Sequence, residues 1–433
     1  MPAQEINLLL NYLIELIKNW WWLFLPFFLW KHFLNLYLFW RNDCWLQKQR
    51  TILLEIRLPR DVMKPIRAME TVMASIHGAV YHPPDWWEKW VEGQLQLSVA
   101  FEVISVGGEP HFFIRCGFPY RDAVESSIYA QYPGAEIQEA DDYIKYVPQS
   151  IPNKEWDLWA ADYKMLKDDH YPIKTYPQFE TEHEALEEKR IDPVAALVEG
   201  LAKIKPGEQF WVQIIAEPVS EGALAAWMAS GQELRDKLAR RPEKAKPTPM
   251  VQEMTNILIS GKTSAEVKTE ERDIIPPEMK LTPGERDIIM GLELKISKPI
   301  FRTVIRFIYL GKRDVFFKPN FRLAFSFFNS YTTLNMNAIV PLGKTLTKIH
   351  KSWFLPFNLL VRRRHYLRCR KIFRNYIKRL PPFFPRPGGS FMLNTEEMAS
   401  LFHFPSQIIA PTPGAYRIET KKGSMPPHLP TEK

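Results

Sequence analysis

The chain has 433 residues, enough for two or three domains of ordinary size, and 46% hydrophobic residues supply a buried core. Cys44, Cys116 and Cys369 lie far apart with no CxxC or Cys/His cluster, which argues against a disulfide framework or a zinc site. The net charge of +8 is unevenly spread: residues 341–433 carry 17 Lys+Arg against 4 Asp+Glu, and the remainder is net acidic, so the basicity points to a local anionic partner at one end.

Residues 1–50 read as a membrane anchor. Ile6 to Ile17 is amphipathic, and Asn19 to Trp40 is a greasy run edged by tryptophan. As a helix the run would span roughly 33 Å, matching a hydrocarbon core of ~30 Å. Trp20, Trp21, Trp22, Phe24, Phe27, Phe28, Trp30, Phe39 and Trp40 are the anchoring side chains, with Lys31, His32, Asn35 and Pro26 as blemishes. Arg41, Lys48 and Arg50 follow the run, so a spanning helix would leave the bulk of the chain cytoplasmic. The alternative is a helix lying in the interface.

Residues 51–150 alternate strand and helix signals. Ile52, Leu54, Ile56 and Leu58 have strand period; Ile66, Met69, Met73 and Ile76 have helical spacing. Leu95 to Val103 alternates again, opposite polar Gln94, Gln96, Ser98 and Glu102, and Gly107-Gly108 marks a hairpin. A further strand, a helix over 121–132 and a short strand at 135–139 complete βαββαβ, the ferredoxin-like pattern. Residues 151–340 read as a second α+β sandwich. Gln209 to Ala216 is apolar on both faces and therefore central, and a charged, proline-rich insertion runs over about 240–282. The predicted fold class is thus α+β: an N-terminal transmembrane helix, a ferredoxin-like βαββαβ domain, and a second α+β sandwich with a helical insertion.

Residues 341–390 hold a basic amphipathic helix. Between 344 and 386 there are 13 Lys+Arg and no acid. Leu359, Leu360, Tyr366, Leu367, Phe373, Tyr376, Ile377 and Leu380 keep an apolar stripe, and Arg362, Arg363, Arg364, Arg368, Arg370, Lys371, Arg374, Lys378 and Arg379 fill the other faces. Such a helix suits nucleic-acid phosphate, anionic lipid or an acidic protein; the bland alternative is a packed helix with a solvated basic face. In residues 391–433, Asn394 and Glu397 form a capping-box signature ahead of a short helix, and a proline-rich tail follows.

No catalytic, cofactor or metal site is expected. Gly261-Lys262-Thr263 and Gly343-Lys344-Thr345 lack the glycine five residues earlier that a phosphate-cradling loop needs, having Asn256 and Ala338 there. His77 and His82 have no metallopeptidase spacing, Asp141-Asp142 and Asp168-Asp169-His170 read as solvated loop groups, and Ser126-Ser127 lies on a helix. A pocket joining carboxylates to His170 or His183 would be the sign of an enzyme.

Five segments carry a family resemblance: LLEIRLPRD (53–61), FEVISVGGEPHFFIRC (101–116), VESSIYAQYPGAEIQEADDY (124–143), LTPGERDIIMGLELKISKPIFRTVIRFIYLGKR (281–313) and LNTEEMASLFHFP (393–405). Together they resemble the membrane-proximal, non-motor region of bacterial type IV secretion and conjugation coupling ATPases, in Gram-positive and candidate-phyla versions, over roughly residues 20–430. The resemblance implies a bacterial membrane protein that precedes a RecA-like DNA-pumping motor, yet this sequence offers no Walker A lysine. The expectation is a membrane-anchored, non-catalytic subunit or scaffold of a type IV secretion or conjugative DNA-transfer system. Its partners would be the membrane, a separate hexameric P-loop ATPase, DNA or anionic lipid, and further copies of itself. The alternative is a membrane-tethered nucleic-acid-binding protein that acts without a motor.

Overall fold

Two long strands with apolar side chains on both faces set the architecture. In the computed structural model β6 (Glu208–Pro218) and β7 (Ile300–Lys312) pair antiparallel from Glu208 opposite Gly311 to Pro218 opposite Phe301. The structure describes residues 3–59, 64–179, 192–241, 281–348, 360–383 and 388–405, and most side chains of the first helix before Leu29 lie outside that description. Two compact units are distinguished, 1–51 with 82–97, and 52–81 with 98–433.

In the larger unit the chain runs β1 (Thr51–Arg57), α2 (Ile66–Val80), β2 (Val99–Val106), β3 (Glu109–Gly117), α3 (Arg121–Gln131) and β4 (Glu136–Glu139). It continues through β5 (Trp156–Met165), α4 (Pro193–Ala202), β6, α5 (Glu221–Leu238), α6 (Pro283–Ser297), β7, α7 (Arg322–Asn329) and β8 (Ile339–Pro341), then α8 (Val361–Ile377), β9 (Phe391–Asn394) and α9 (Thr395–Leu401). The strands form one nine-stranded sheet ordered β4-β1-β3-β2-β6-β7-β5-β8, and β9 pairs with the start of β7. The two halves mirror each other about the β2–β6 seam, where Val99 opposes Ala216 and Val106 opposes Gln209.

This corrects the predicted fold class. Two free-standing modules are not what forms: β2 and β6 are each buried on both faces, and pairing with each other removes the open edge that each half would otherwise present. Alternation along a strand reports its faces and says nothing about its edges, so this continuity was hidden. Of the predicted insertion, residues 242–280 lie outside the described residues, and α5 and α6 flank it.

The transmembrane helix is the second correction. Within the smaller unit α1 (Ala3–Lys48) is one helix of 46 residues that continues through Pro26. No helix among the described residues is long and apolar enough to cross a membrane. Length is ample; hydropathy fails, because tryptophan and tyrosine are only weakly apolar and Lys31, His32 and Asn35 interrupt the run. Trp30, Phe39 and Trp40 are exposed, whereas the side chains of Trp20, Trp21, Trp22, Phe24, Phe27 and Phe28 lie outside the described residues. A short π turn (Glu88–Glu92) packs along α1, with Tyr37 donating to the Trp90 carbonyl at 3.1 Å and Arg41 to that of Val91. Gly93 sits at φ +77, and a Cβ there would fall 2.6 Å from the Arg41 backbone, so this approach requires glycine.

One face of the sheet carries the main core, formed with α2, α3, α4, α7 and α9. α8 and the turn around Tyr143–Ile151 cover a smaller apolar band on the other face. The capping box at α9 forms as its signature predicts, and Glu397 also pairs with Lys295 of α6 at 3.0 Å, both fully buried. A second clip ties the chain beyond α9 to the start of α4, where His403 Nε2 lies 2.9 Å from Asp192, the α4 cap. Burial raises the Asp192 carboxyl, but the charge and hydrogen bond of His403, with the Ala195 and Val194 amides, outweigh it and leave the group below its usual value.

A carboxyl lowered by folding adds stability above its unfolded value and loses it as pH falls through the folded value. His403→Ala should therefore cost about 3–5 kcal/mol in urea unfolding at roughly pH 5–6. The gap to the unsubstituted protein should narrow on acidification below about pH 4, where the unfolded carboxyl titrates; a gap constant down to acid pH would contradict this reading of the clip.

Candidate anion-binding surface

α8 is an amphipathic helix whose second half packs its apolar side on the sheet. Cys369, Ile372, Phe373 and Tyr376 are buried on it, and Phe373 and Tyr376 pack on Trp211 of β6 with ring centroids 6.4 and 5.2 Å apart. Leu360 and Leu367 of the predicted apolar stripe are instead exposed, so the buried face is narrower than the sequence suggests.

What seats the helix is polar. Four side chains at matched register form a row across the central strands: Glu102 opposes Gln213, Gln213 opposes Arg306, and Arg306 opposes Asp162. All four are at most 1% exposed. Gln213 donates to Glu102 at 2.7 Å, and Arg306 donates to Asp162 at 2.9 Å and to the Leu380 carbonyl at 2.5 Å. Arg379, just beyond α8, drops onto the end of the row and donates to both Glu102 oxygens at 3.1 and 3.3 Å, and to Asp142 at 3.1 Å. Tyr143 donates to Glu102 at 2.9 Å and lies 2.7 Å from the Tyr376 hydroxyl. Burial opposes the Arg379 charge, but Glu102, with Tyr143 and Asp142, more than offsets it, so the guanidinium holds its proton more tightly than usual. Burial raises Asp162, and Arg306 only partly offsets that.

The nine predicted cations therefore divide. Arg379 is buried and structural; Arg368 is half-buried and donates to the Leu346 and Lys348 carbonyls at 2.7 and 3.3 Å. Arg362, Arg363, Arg364, Arg370, Lys371, Arg374 and Lys378 are exposed. Arg370 donates to the Tyr366 hydroxyl at 3.1 Å with its guanidinium 5.6 Å from that ring. Among the described residues no salt bridge reaches Arg362, Arg363, Arg364, Arg374 or Lys378.

Arg362, Arg363 and Arg364 also occupy the first turn of α8, where the helix dipole disfavours cations, and the cap residue Leu360 offers no side-chain acceptor. Each cation there costs about 0.3–1 kcal/mol, a local rule broken with no compensation inside the described residues. Beside this turn lies a cleft of about 800 Å³, lined by Asn153, Lys154, Asp157, Arg313, Arg362, His365 and Tyr366. Its one carboxylate, Asp157, is taken by Arg313 at 3.1 Å. Burial pushes His365 below its ordinary value; Asp157 opposes that shift and Lys318, Arg368 and Arg313 add to it.

The sequence missed Lys154 and Arg313, since their approach to α8 is tertiary. It also placed Glu102 on an outward polar face, whereas that residue is fully buried. The available signal was Arg306, a cation deep inside the apolar run 300–310, which carries one other, Arg302, nearer its start.

The other motifs take ordinary places. Thr345 of Gly343-Lys344-Thr345 is buried, its hydroxyl accepting from the Asp162 amide at 3.3 Å and donating to the Leu342 carbonyl at 3.2 Å, which is no phosphate loop. Gly261-Lys262-Thr263 and His183 lie outside the described residues. His170 does meet a carboxylate and a hydroxyl: Nδ1 faces Asp168, and Nε2 lies 3.0 Å from Ser230 Oγ. Nε2 is equally 3.0 Å from the Trp227 carbonyl, to which Ser230 itself donates at 2.7 Å. A nitrogen facing a carbonyl must carry a proton, so it is no base for Ser230, and the contact pins α5 instead. Among the described residues no group of acids, cysteines and histidines could hold a metal ion.

No protein-family model matches the chain, and neither does any curated protein.

The division of the cations is testable by stability. Arg379→Ala should cost about 3–5 kcal/mol in denaturant unfolding, because it strands a buried carboxylate. Arg363→Ala should stay within about 0.5 kcal/mol of the unsubstituted protein. Equal effects would contradict the separation of seating from exposed arginines.

Proposed function

We propose that this chain is a non-catalytic nucleic-acid-handling subunit of a bacterial type IV secretion or conjugative DNA-transfer system, working at the cytoplasmic side of the cell membrane beside a separate hexameric ATPase. The family resemblance supports the setting. The observation that carries the nucleic-acid reading is that α8 turns unbalanced cations outward while Cys369, Ile372, Phe373 and Tyr376, the main part of its apolar face, are already packed on the sheet.

That observation favours nucleic acid over lipid. An interfacial helix binds a bilayer by burying a continuous apolar face among acyl chains, and here most of that face is occupied by the sheet. What remains is mainly charge, with only Leu360, Tyr366 and Leu367 exposed beside it, and a mainly cationic surface suits a polyanion, where each phosphate contact releases counterions. Nothing in the arrangement reads base edges, so binding should be indifferent to sequence and steeply dependent on salt.

The Arg362/Arg363/Arg364→Ala protein should fold normally and bind DNA more weakly, and its slope of log K against log salt should fall by about 2 to 3. Vesicles of anionic lipid should show no loss of binding that depends on these three residues. An unchanged salt slope on DNA, or an effect confined to vesicles, would overturn the reading. The assembly part is checked separately by asking whether a P-loop ATPase co-purifies with the full chain from detergent-solubilised membranes of its host.

A further inference from the structure

The cleft beside α8 has a shape and lining that the exposed helix face lacks, and the following inference rests on the nucleic-acid reading above. Its volume of about 800 Å³ lies in the range of small-ligand sites. Three separate elements bring cations to its walls: Lys154 from the loop before β5, Arg362 from the first turn of α8, and, just after β7, Arg313, which is paired with Asp157. The same walls carry two ring systems one residue apart, His365, half-buried, and Tyr366, 40% exposed.

Cations and aromatic rings in one concavity are what a single strand needs. A groove of positive charge holds the backbone, and an unstacked base recovers its stacking on a side-chain ring. A duplex cannot use the cleft without expelling a base from its stack. The lowered His365 fits, since a ring kept neutral among cations offers a stacking face without adding to their repulsion. The helix dipole favours a phosphate of either form, with the amide end of α8 beside the cleft, so the preference for a single strand rests on the rings.

We propose that this cleft takes one unpaired nucleotide, its phosphate held by Lys154 and Arg362 and its base laid against Tyr366 and His365, while Arg313 stays paired with Asp157 and neutralises the one carboxylate of the lining. The protein then prefers single-stranded to double-stranded DNA, and this preference resides in the cleft, whereas general affinity resides in the remaining α8 cations.

The test is fluorescence anisotropy on the full chain, with one labelled oligonucleotide presented single-stranded and as its duplex at matched salt. The unsubstituted protein should bind the single strand more tightly. Tyr366→Ala should weaken single-strand binding about tenfold and leave duplex binding within about twofold, and Tyr366→Phe should keep the preference. Lys154→Ala lies off the helix, so α8 stays seated; it too should weaken the single strand more than the duplex. Equal affinity for the two forms in the unsubstituted protein, or equal losses in the Tyr366 and Lys154 variants, would overturn the cleft and leave the α8 surface standing. Failure to bind either form would overturn both.

Discussion

The buried contact between Arg379 and Glu102 is the constraint on which the functional face depends. A carboxylate in the middle of an antiparallel sheet, with no water and no partner, would be prohibitively costly. Glu102 is tolerable because the guanidinium beyond α8, a tyrosine hydroxyl and the Gln213 amide converge on it. The same contacts fix where α8 ends, and so fix its position on the sheet. Replacing such a network with apolar side chains often preserves or raises stability, so its value here is positional: it admits one placement of the helix, with Arg379 over Glu102.

From that placement the chemistry follows. Aromatic contacts with Trp211 consume most of the apolar side of α8, and the remaining surface is cationic apart from Leu360, Tyr366 and Leu367 near its start. Three arginines lie at the dipole's positive end, and the wall of a cleft brings Lys154 toward them, with Arg313 beside it paired to Asp157. A folded protein gains nothing from this crowding. An anion resolves it, and a polymer of anions resolves it along the whole helix.

Much of this was legible in the sequence, for identifiable reasons. The strands around Ile52–Ile56, Phe101–Val103 and Gln209–Ala216 announce themselves by alternation or by apolarity on both faces, and α9 by its Asn394/Glu397 box. The basic helix was visible as a run without a single acid. Four things were not visible. Edge pairing of β2 with β6 is long-range and leaves no local mark, so one sheet was read as two modules. Glu102 looks like a solvent-facing position until the helix that covers it is in place. The tryptophan-rich stretch 19–40 mimics a membrane span in length and aromatic edging, but its hydropathy is too low. Nor does charge pattern alone tell Arg379 from Arg374; that requires knowing which side of α8 meets the sheet.

The most direct measurement is amide hydrogen exchange on the full chain, with and without a short single-stranded oligonucleotide. The account requires α8 to be protected in the free protein from Cys369 to Tyr376, where it packs. Added DNA should slow exchange further in the first turns of α8 and in residues 150–157, leaving the sheet unchanged. Rapid exchange throughout α8 in the free protein, or DNA-dependent protection confined to other elements, would contradict it.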